Sequence, residues 1–336
     1  MKIAFLNISQ SLVQRGAETF VRELSTRLAQ DHQVTVVSGH KIPPGRWPII
    51  WRFFIDGHGL YILWFTLSKI PLLWKEKFDV VVPLNGGWQS LLVRVLTLLY
   101  GGKMIISGQS GKGWDDRVNL WFFPSRFVAL SSSLSKWAKR INPFTEVSYI
   151  PNGVDLVRFT PEGAKAKVSL NGPIFLCVGA LTHEKRIDLA IRAVYKLAKG
   201  SLLVIGQGKD EKQLSLLGQQ LLGNRFKIVS ADFEQMPNWY RAAHIFTLPS
   251  PSYRAFEIVL VEAMACNLPV VVNDDPIRRE IVQEAGLFVN PDKIEAYAKA
   301  LDQALARSWY NKPRIQAEKF SWDKITQQYL QLFQDQ

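Results

Sequence analysis

The sequence contains little cysteine and has no long uninterrupted apolar run. Its two cysteines, Cys177 and Cys266, lie in apolar contexts and are interpreted as small buried hydrophobic residues, which excludes a disulfide framework or a cysteine metal site. The most apolar stretch, residues 60–74, is interrupted by Lys69 and Pro71. A bilayer-spanning helix needs about 20 apolar residues. We therefore predict that the chain has no transmembrane helix.

The chain also lacks a secretory signal pattern, because Met1 and Lys2 lead directly into an apolar run, and we expect a cytoplasmic protein. Its charge is unevenly placed. Residues 1–168 hold 21 Lys and Arg against 11 Asp and Glu, whereas residues 169–336 hold 20 against 18. A basic half favours an anionic partner, such as a phosphorylated substrate, an anionic membrane or nucleic acid. No nucleic-acid recognition motif accompanies the charge, so we discount nucleic acid.

The apolar stretch 60–74 allows two interpretations. It can form a mostly buried helix of a first domain, or it can contribute to an interfacial contact with the inner face of an anionic membrane, since aromatic rings beside cations suit that environment. The aromatic residues are Trp47, Trp51, Phe53, Phe54, Trp64, Phe65 and Trp74, and the cations beside them are Arg46, Arg52, Lys75 and Lys77.

Short apolar runs alternate with longer helical patterns, which predicts two α/β domains with doubly wound parallel sheets. We place the first domain at 1–160, the second at 161–320 and a terminal helix at 321–336, with Asp155–Pro173 as the linker. Ligands of such sheets bind beyond the carboxyl ends of the strands. The predicted strands are Ile3–Asn7, Val34–Ser38, Val80–Pro83, Met104–Ser107, Phe127–Leu130, Val147–Ile150, Ile174–Val178, Leu202–Ile205, Phe226–Val229, Ile245–Leu248, Val270–Val272 and Leu287–Val289.

Several motifs follow these strands. Gly179 and Lys185 lie in a strand-to-helix turn, where a lysine is well placed to neutralise a diphosphate. Gly206 and Gly208 follow the next strand, and glycines there let the backbone approach a ligand closely. Residues 246–273 predict a strand, a Pro/Ser-rich loop, a helix and a second strand. The start of that helix is a ready anion site, because unpaired N–H groups and the helix dipole point at a ligand there.

In the first half, Gly16 opens a helix after the first strand, with Arg15 beside it. Asn85-Gly86 and Gln109-Ser110 follow later strands at the same edge. Taken in order, the motifs resemble those of GT4-type retaining GT-B glycosyltransferases, the glycosyl transferases group 1. The resemblance covers nearly the whole chain and is strongest from Val147 to Pro291.

The resemblance implies a GT-B fold, in which two Rossmann-like doubly wound domains face each other across a cleft and the terminal helix crosses back to the first domain. It implies a hexosyltransferase-type reaction without metal or cofactor, with a UDP- or GDP-sugar as co-substrate. Lys185 is the catalytic residue that the resemblance implies, and we add Glu257 and Arg254, which lie where the family motif sits by the donor sugar and the phosphates. The implied donor-binding residues are Glu262, Gly16, Arg15, Gly179, Arg186, Gly206, Gly208, Phe233, Phe256, Ile258 and Val259. The implied acceptor-binding residues are Asn85, Gly86, Gln109 and Ser110.

Four positions depart from the family pattern, one of which is Arg15, where relatives carry Gly. Ala180 stands where relatives carry Arg, Arg254 where they carry Glu, and Glu257 where they carry Gly. Arg186 could partly replace the lost charge, and Arg254 and Glu257 are spaced to form a pair. Either Glu257 supplies the missing carboxylate from a shifted position, or the transferase site is weakened.

We therefore expect a retaining glycosyltransferase that moves a sugar to a glycan or lipid-linked acceptor. The alternative is a catalytically silent relative that binds a nucleotide, a glycan or a partner transferase. The least favoured alternative is an epimerase or phosphorylase with the same architecture. The adjacent pairs Asp115-Asp116 and Asp274-Asp275 are not a metal-binding D-x-D motif and are interpreted as solvated turns.

Overall fold

A computed structural model describes residues 1–13, 15–41, 45, 54–251 and 256–335. The chain forms two compact units. The first consists of Met1–Asn152 together with Trp322–Gln336, and the second is Gly153–Ser321. The division between the two units lies between Asn152 and Gly153.

The first unit is a six-stranded parallel sheet in the order β2-β1-β3-β4-β5-β6, with helices packed against it. The strands are β1 (Lys2–Asn7), β2 (Gln33–Ser38), β3 (Val80–Pro83), β4 (Lys103–Ser107), β5 (Arg126–Ala129) and β6 (Val147–Tyr149). The helices are α1 (Gly16–Leu28), α2 (Gly57–Glu76), α3 (Trp88–Tyr100), α4 (Trp114–Trp121), α5 (Ser132–Ile141) and, from the end of the chain, α13 (Trp322–Gln334).

The terminal helix α13 is part of the first unit because aromatic side chains join it to α1. The ring of Phe20 lies 5.6 Å from that of Tyr329 and 6.3 Å from that of Trp322, and all three side chains are buried. The Tyr329 hydroxyl also lies 3.1 Å from the hydroxyl of Ser107 at the end of β4. Aromatic pairs of this kind add stabilisation beyond the apolar area that they bury.

The second unit is also a six-stranded parallel sheet, in the order β12-β11-β10-β7-β8-β9. Its strands are β7 (Ile174–Val178), β8 (Ser201–Ile205), β9 (Phe226–Val229), β10 (Ile245–Leu248), β11 (Val270–Asn273) and β12 (Gly286–Val289). Its helices are α6 (Ile187–Tyr195), α7 (Glu211–Leu222), α8 (Met236–Ala242), α9 (Ile258–Ala265), α10 (Pro276–Val282), α11 (Ile294–Ala306) and α12 (Lys312–Ala317). Strands β7, β8 and β10 are buried along their whole length, and all their residues except Ser201 and Thr247 are apolar, as expected for a sheet covered on both faces.

The segment predicted as a linker is instead packed within the second unit. The ring of Phe159 is buried and lies 5.9 Å from the rings of both Phe233 and Tyr240. The guanidinium of Arg314 donates hydrogen bonds to the carbonyls of Leu156 and Phe159. These contacts fix residues 155–173 in place, although no helix or strand forms there, so the absence of periodicity did not indicate a flexible connection.

Helix α2 confirms the helical interpretation of residues 60–74 but is not mostly buried. Its buried residues are Gly59, Ile62, Phe65, Thr66 and Leu73. Trp64 is 70% exposed, and Trp74 is 49% exposed. Among the described residues, no helix is long and apolar enough to cross a membrane. The residues Trp47, Trp51, Phe53, Arg46 and Arg52, which the membrane interpretation also used, lie outside the described residues.

The glycines after β8 allow two backbone segments of the second unit to touch. A Cβ atom at Gly206 would lie 1.9 Å from the carbonyl oxygen of Gly179, and one at Gly208 would lie 2.3 Å from that of Leu181. The Leu181 amide donates to the carbonyl of Gln207 at 2.9 Å. The glycines therefore hold the turn after β8 against the turn after β7.

We predict that Gly206→Ala lowers the free energy of unfolding by about 1–3 kcal/mol, because a methyl group cannot be accommodated against a backbone oxygen without a main-chain shift. Urea unfolding would measure the change. Gly113→Ala is the comparison, since a Cβ atom there would meet no described atom within 4 Å. An equal effect of the two substitutions would contradict the steric explanation.

Candidate active site

Three loops at the carboxyl edge of the second sheet are joined by one carboxylate. Glu257 lies between β10 and α9, Lys185 lies between β7 and α6, and Arg278 lies on α10 after β11. One Glu257 oxygen is 2.5 Å from the Lys185 ammonium, and the other is 2.6 Å from the Arg278 guanidinium. Strands β7, β10 and β11 are neighbours, so these loops meet where ligands of open α/β sheets bind.

The cluster becomes more accessible from Arg278 towards Lys185. The side chains of Arg278 and Glu257 are 1% and 5% exposed, whereas that of Lys185 is 21% exposed. Arg278 also lies 3.4 Å from Asp275, which is itself buried. The side chains thus form a chain of alternating charge, Asp275–Arg278–Glu257–Lys185, with a partly accessible ammonium at its end.

The interpretation of Asp275 as a solvated turn residue was wrong. Its carboxylate accepts hydrogen bonds from the backbone amides of Ile277 at 3.0 Å and Arg278 at 3.1 Å, so it caps the start of α10 while pairing with the Arg278 guanidinium. The sequence analysis did not identify Arg278. A usable signal was present, because the helical spacing places Arg278 on the same face as Ile281 and Val282, both buried.

Glu257 has a backbone conformation that favours glycine. Its φ is 54° and its ψ is 81°, in the left-handed region, which is uncommon for a residue with a Cβ atom. The chain therefore places a carboxylate on a backbone conformation that favours glycine, at a position where the family pattern has glycine. The predicted partner of Glu257, Arg254, lies outside the described residues. Lys185 and Arg278 are the cations that contact Glu257 in the described part of the chain.

The two cations determine the ionisation of Glu257. Burial alone would raise the pKa of its carboxyl, but the adjacent charges of Lys185 and Arg278 reverse this effect and lower that pKa to about 2. Glu257 is therefore ionised at neutral pH. Its negative charge neutralises that of the Lys185 ammonium, which was predicted to bind a diphosphate.

The turn after β7 brings Lys185 beside Gly179 but directs Arg186 elsewhere. The Lys185 side chain passes over Gly179, whose added Cβ atom would lie 3.7 Å from the Lys185 Cε. Arg186, with a left-handed φ of 52°, begins α6 and forms an ion pair with Asp292. The structure thus shows Arg186 paired with an acid of its own unit.

The remaining donor-side residues of the second unit are held by aromatic contacts. Glu262 on α9 is buried and accepts a hydrogen bond from the Tyr240 hydroxyl at 2.8 Å. Phe256 is buried, with its ring 5.4 Å from that of Phe320. Phe233 lies between the Phe159 ring and the Arg158 guanidinium, which is 4.9 Å from the Phe233 ring centre.

The amides at the start of α9 are aligned with its axis. Ile258 is the first residue of this helix and is buried, and Val259 follows it. Their N–H groups belong to the first turn, which lacks intrahelical acceptors and carries the positive end of the helix dipole. The Glu257 carboxylate lies at the same end of the helix, so an anion arriving there would meet both the amides and the internal carboxylate.

In the first unit, the predicted acceptor residues contact other segments of the same unit. The Asn85 side chain accepts from the amide of Ile8 at 3.0 Å. The Gln109 amide exchanges hydrogen bonds with the side chain of Asn152 at 2.9 and 3.2 Å. Gly86 is buried, and an added Cβ atom there would lie 3.0 Å from the Asn119 Oδ1.

Asp116 orders the loop that carries Ser110, and its interpretation as a solvated turn residue was wrong. Its buried carboxylate accepts from the amides of Ser110 at 3.2 Å and Gly111 at 3.0 Å. Burial, assisted by the charge of Asp115, raises the pKa of Asp116 to about 8.

At the start of α1, the structure places Gly16 as the first helical residue and Arg15 as its N-cap, both exposed. Glu18 in the same turn is buried, and burial raises the pKa of its carboxyl. The Asn7 side chain donates to Glu18 at 3.3 Å.

We predict that Glu257→Gln lowers the free energy of unfolding at pH 7 by about 3 kcal/mol, because it removes the counterion of a buried guanidinium. The difference from the parent protein should narrow below about pH 4.5. A carboxyl whose pKa is lowered by folding stabilises the protein above its unfolded pKa of about 4.3 and loses that effect as pH falls towards the folded value.

Urea unfolding followed between pH 3 and 7 would measure both effects. Glu295→Gln is the matched control, because Glu295 forms an exposed pair with Lys196, and little change is expected there. A difference between Glu257→Gln and the parent that stays constant down to pH 3 would contradict the assigned role of the two cations.

Comparisons with known proteins bear on the family and the fold. Residues 161–320 match the family model described as glycosyl transferases group 1, and residues 14–158 match the model described as glycosyltransferase family 4. The solved structure of Anabaena HepE in complex with UDP and glucose superposes with a TM-score of 0.77, covering 100% of both chains at 18% identity.

Two curated relatives match part of the chain. An exopolysaccharide phosphotransferase of Streptomyces coelicolor is 31% identical over 217 residues, which are 61% of this chain and 22% of that protein. A phosphatidyl-myo-inositol mannosyltransferase of Mycolicibacterium smegmatis is 26% identical over 220 residues, 62% of this chain and 56% of that protein. The chain thus spans less than two thirds of the length of either relative. Because the family matches together extend from residue 14 to residue 320, the chain belongs to the group 1, GT4-type glycosyltransferases and has the GT-B fold.

Proposed function

We propose that this protein is a retaining glycosyltransferase that transfers a hexose from a UDP- or GDP-sugar to an acceptor hydroxyl. The observation that carries the proposal is the partly exposed side chain of Lys185, whose ammonium contacts Glu257 beside the start of α9, at the carboxyl edge of β7 and β10. A cation and a helix N-terminus in this arrangement suit a diphosphate. The bound UDP in the similar HepE structure supports a nucleotide-sugar donor.

In the proposed reaction, the bond between the anomeric carbon and the diphosphate oxygen breaks, and the acceptor oxygen forms its bond on the same face of the sugar. The negative charge that develops on the diphosphate is stabilised by Lys185 and by the amides of Ile258 and Val259. Glu262 holds the ribose hydroxyls. The leaving diphosphate takes up the acceptor proton, so the proposal needs neither a protein base nor a metal ion.

We propose that the acceptor is a glycan or a lipid-linked glycan and that the protein works in the cytoplasm, on the inner membrane face. The loops of Asn85 and Gln109 would contact the acceptor. The name of the phosphatidyl-myo-inositol mannosyltransferase, a relative that acts on a lipid, supports a lipid-linked acceptor.

An apolar surface of the first unit supports contact with an anionic membrane. Helices α2 and α3 pack side by side and expose large apolar side chains, including Trp64 and Leu99, which are 70% and 68% exposed. We call this surface the α2–α3 face; its exposed residues are Leu60, Trp64, Leu67, Leu72, Trp74, Val95, Leu98 and Leu99. Lys69, Lys75 and Lys77 lie on or next to α2. An apolar surface with tryptophan and adjacent lysines suits the interface of an anionic bilayer.

A second candidate function is a catalytically silent relative that binds a nucleotide or a partner transferase. Glu257 favours it, because a carboxylate 2.5 Å from the Lys185 ammonium adds negative charge where a diphosphate would bind. Sugar-dependent release of a nucleoside diphosphate separates the two functions.

We predict that UDP or GDP, alone or as a nucleotide sugar, raises the melting temperature of the protein and that Lys185→Ala removes the shift. Binding to the folded state stabilises it by mass action. Lys196→Ala is the control, because Lys196 forms an exposed ion pair with Glu295 on the same unit. Release of nucleoside diphosphate from the stabilising sugar would support the transferase. No shift with any nucleotide, in the parent protein or in Glu257→Gln, would contradict the donor site.

We predict that the protein co-sediments with vesicles containing phosphatidylglycerol and that binding falls in high salt, because surface charges are screened. Exchanging both Trp64 and Trp74 for Ser should weaken binding at least severalfold. Leu216→Ser, at a 65% exposed position on α7 of the other unit, is the control. Equal binding of the double variant and the control would contradict membrane docking, as would self-association through this face in the absence of vesicles.

A further inference from the structure

We propose that Glu257 is an internal counterion that competes with the diphosphate of the nucleotide for Lys185 and thereby weakens nucleotide binding. The inference rests on the proposed function, because it assigns the diphosphate to the same ammonium. It concerns a residue that replaces a glycine of the family pattern, and it makes Glu257 a determinant of affinity rather than a group that touches the sugar.

Glu257 contacts one fully buried partner, Arg278, and one more accessible partner, Lys185. Arg278 is held by two acids, Glu257 at 2.6 Å and Asp275 at 3.4 Å, and its side chain is 1% exposed. Within the described ranges, the ammonium of Lys185 contacts one acid, Glu257, and its side chain is 21% exposed. The Glu257–Lys185 contact is therefore the one that an incoming anion can reach.

Lys185 is chemically suited to exchange partners. Its ammonium is a compact charge with three rotatable donors on a flexible side chain. The guanidinium of Arg278 is planar, and its N–H donors point in fixed directions. When a diphosphate binds, the ammonium can turn towards its oxygens while Arg278 keeps Glu257 ionised. Each contact that the ammonium makes with the diphosphate is then offset by weakening of an existing charge-assisted hydrogen bond.

The electrostatics point in the same direction. A carboxylate in contact with an ammonium cancels most of its field at greater distance. The first turn of α9, which would otherwise attract the diphosphate, begins directly at this carboxylate. The chain keeps Glu257 there despite its left-handed backbone. A non-glycine residue held in that conformation is a recurrent feature of functional sites.

Isothermal titration of the protein with UDP and with GDP tests the proposal. Glu257→Gln keeps the size of the side chain and removes its charge. We expect it to bind whichever nucleotide the parent prefers about tenfold more tightly, a change within the coupling range of groups in contact. Lys185→Met should weaken binding in the parent background. The effect of Glu257→Gln should disappear in the Lys185→Met background, because the ammonium for which Glu257 and the diphosphate compete is then absent.

Glu257→Gly is the second variant if Glu257→Gln does not fold, because glycine suits the left-handed backbone and Asp275 still pairs with Arg278. It should also bind the nucleotide more tightly. Circular dichroism would establish folding in each case. The matched control is Glu295→Gln, since Glu295 forms an exposed pair with Lys196 on the same unit and should leave affinity unchanged.

Tighter binding by a charge-free variant, dependent on Lys185, supports the inference even if the parent binds too weakly to measure. Unchanged or weaker binding by the folded charge-free variants overturns it; the donor site itself still stands if the parent binds and Lys185→Met does not. Binding that is insensitive to Lys185 in every background contradicts the proposed function as well as the inference.

Discussion

The carboxylate of Glu257, held between Lys185 and Arg278, is the contact on which the carboxyl edge of the second sheet depends. It ties together the loops that follow three neighbouring strands, β7, β10 and β11. A buried charge network of this kind orders its members when every charge is compensated, and it is costly when one is missing. The geometry of the candidate site is therefore set by charge pairing among loops, on a sheet that is itself held by apolar packing.

Much of the fold could be predicted from the sequence because continuous apolar runs identify strands that are covered on both faces. The runs at Val80–Pro83 and Val270–Val272 are examples that the structure confirms. Parallel sheets then give the edge at which the motifs gather. The packing of Phe159 was not predictable, because it depends on Phe233 and Tyr240, which are distant in the chain. Which side of α2 is exposed was also not predictable, because the sequence of a nearly all-apolar helix does not indicate which face is buried.

The candidate site was predictable in part. Family motifs pointed to Lys185, Glu257 and Glu262, but they did not indicate that Glu257 pairs with Arg278. Ion pairs between separate loops leave no local pattern, so even the helical spacing of Arg278 with Ile281 and Val282 does not indicate which acid it contacts. The same reason explains why the burial of Asp116 and Asp275 was missed. In both cases the acid accepts from nearby amides, and only the three-dimensional neighbourhood shows that water is excluded.

The place of helix α13 has a consequence for how the protein is made. The second unit is one continuous segment, so all of its strands are available once residue 321 has been synthesised. The first unit is discontinuous, because Phe20 packs against Trp322 and Tyr329. These contacts cannot form until α13 has been synthesised. During synthesis on the ribosome, the first unit therefore leaves the exit tunnel earlier but is completed later, and until then it exposes an apolar surface on α1 that a chaperone can bind.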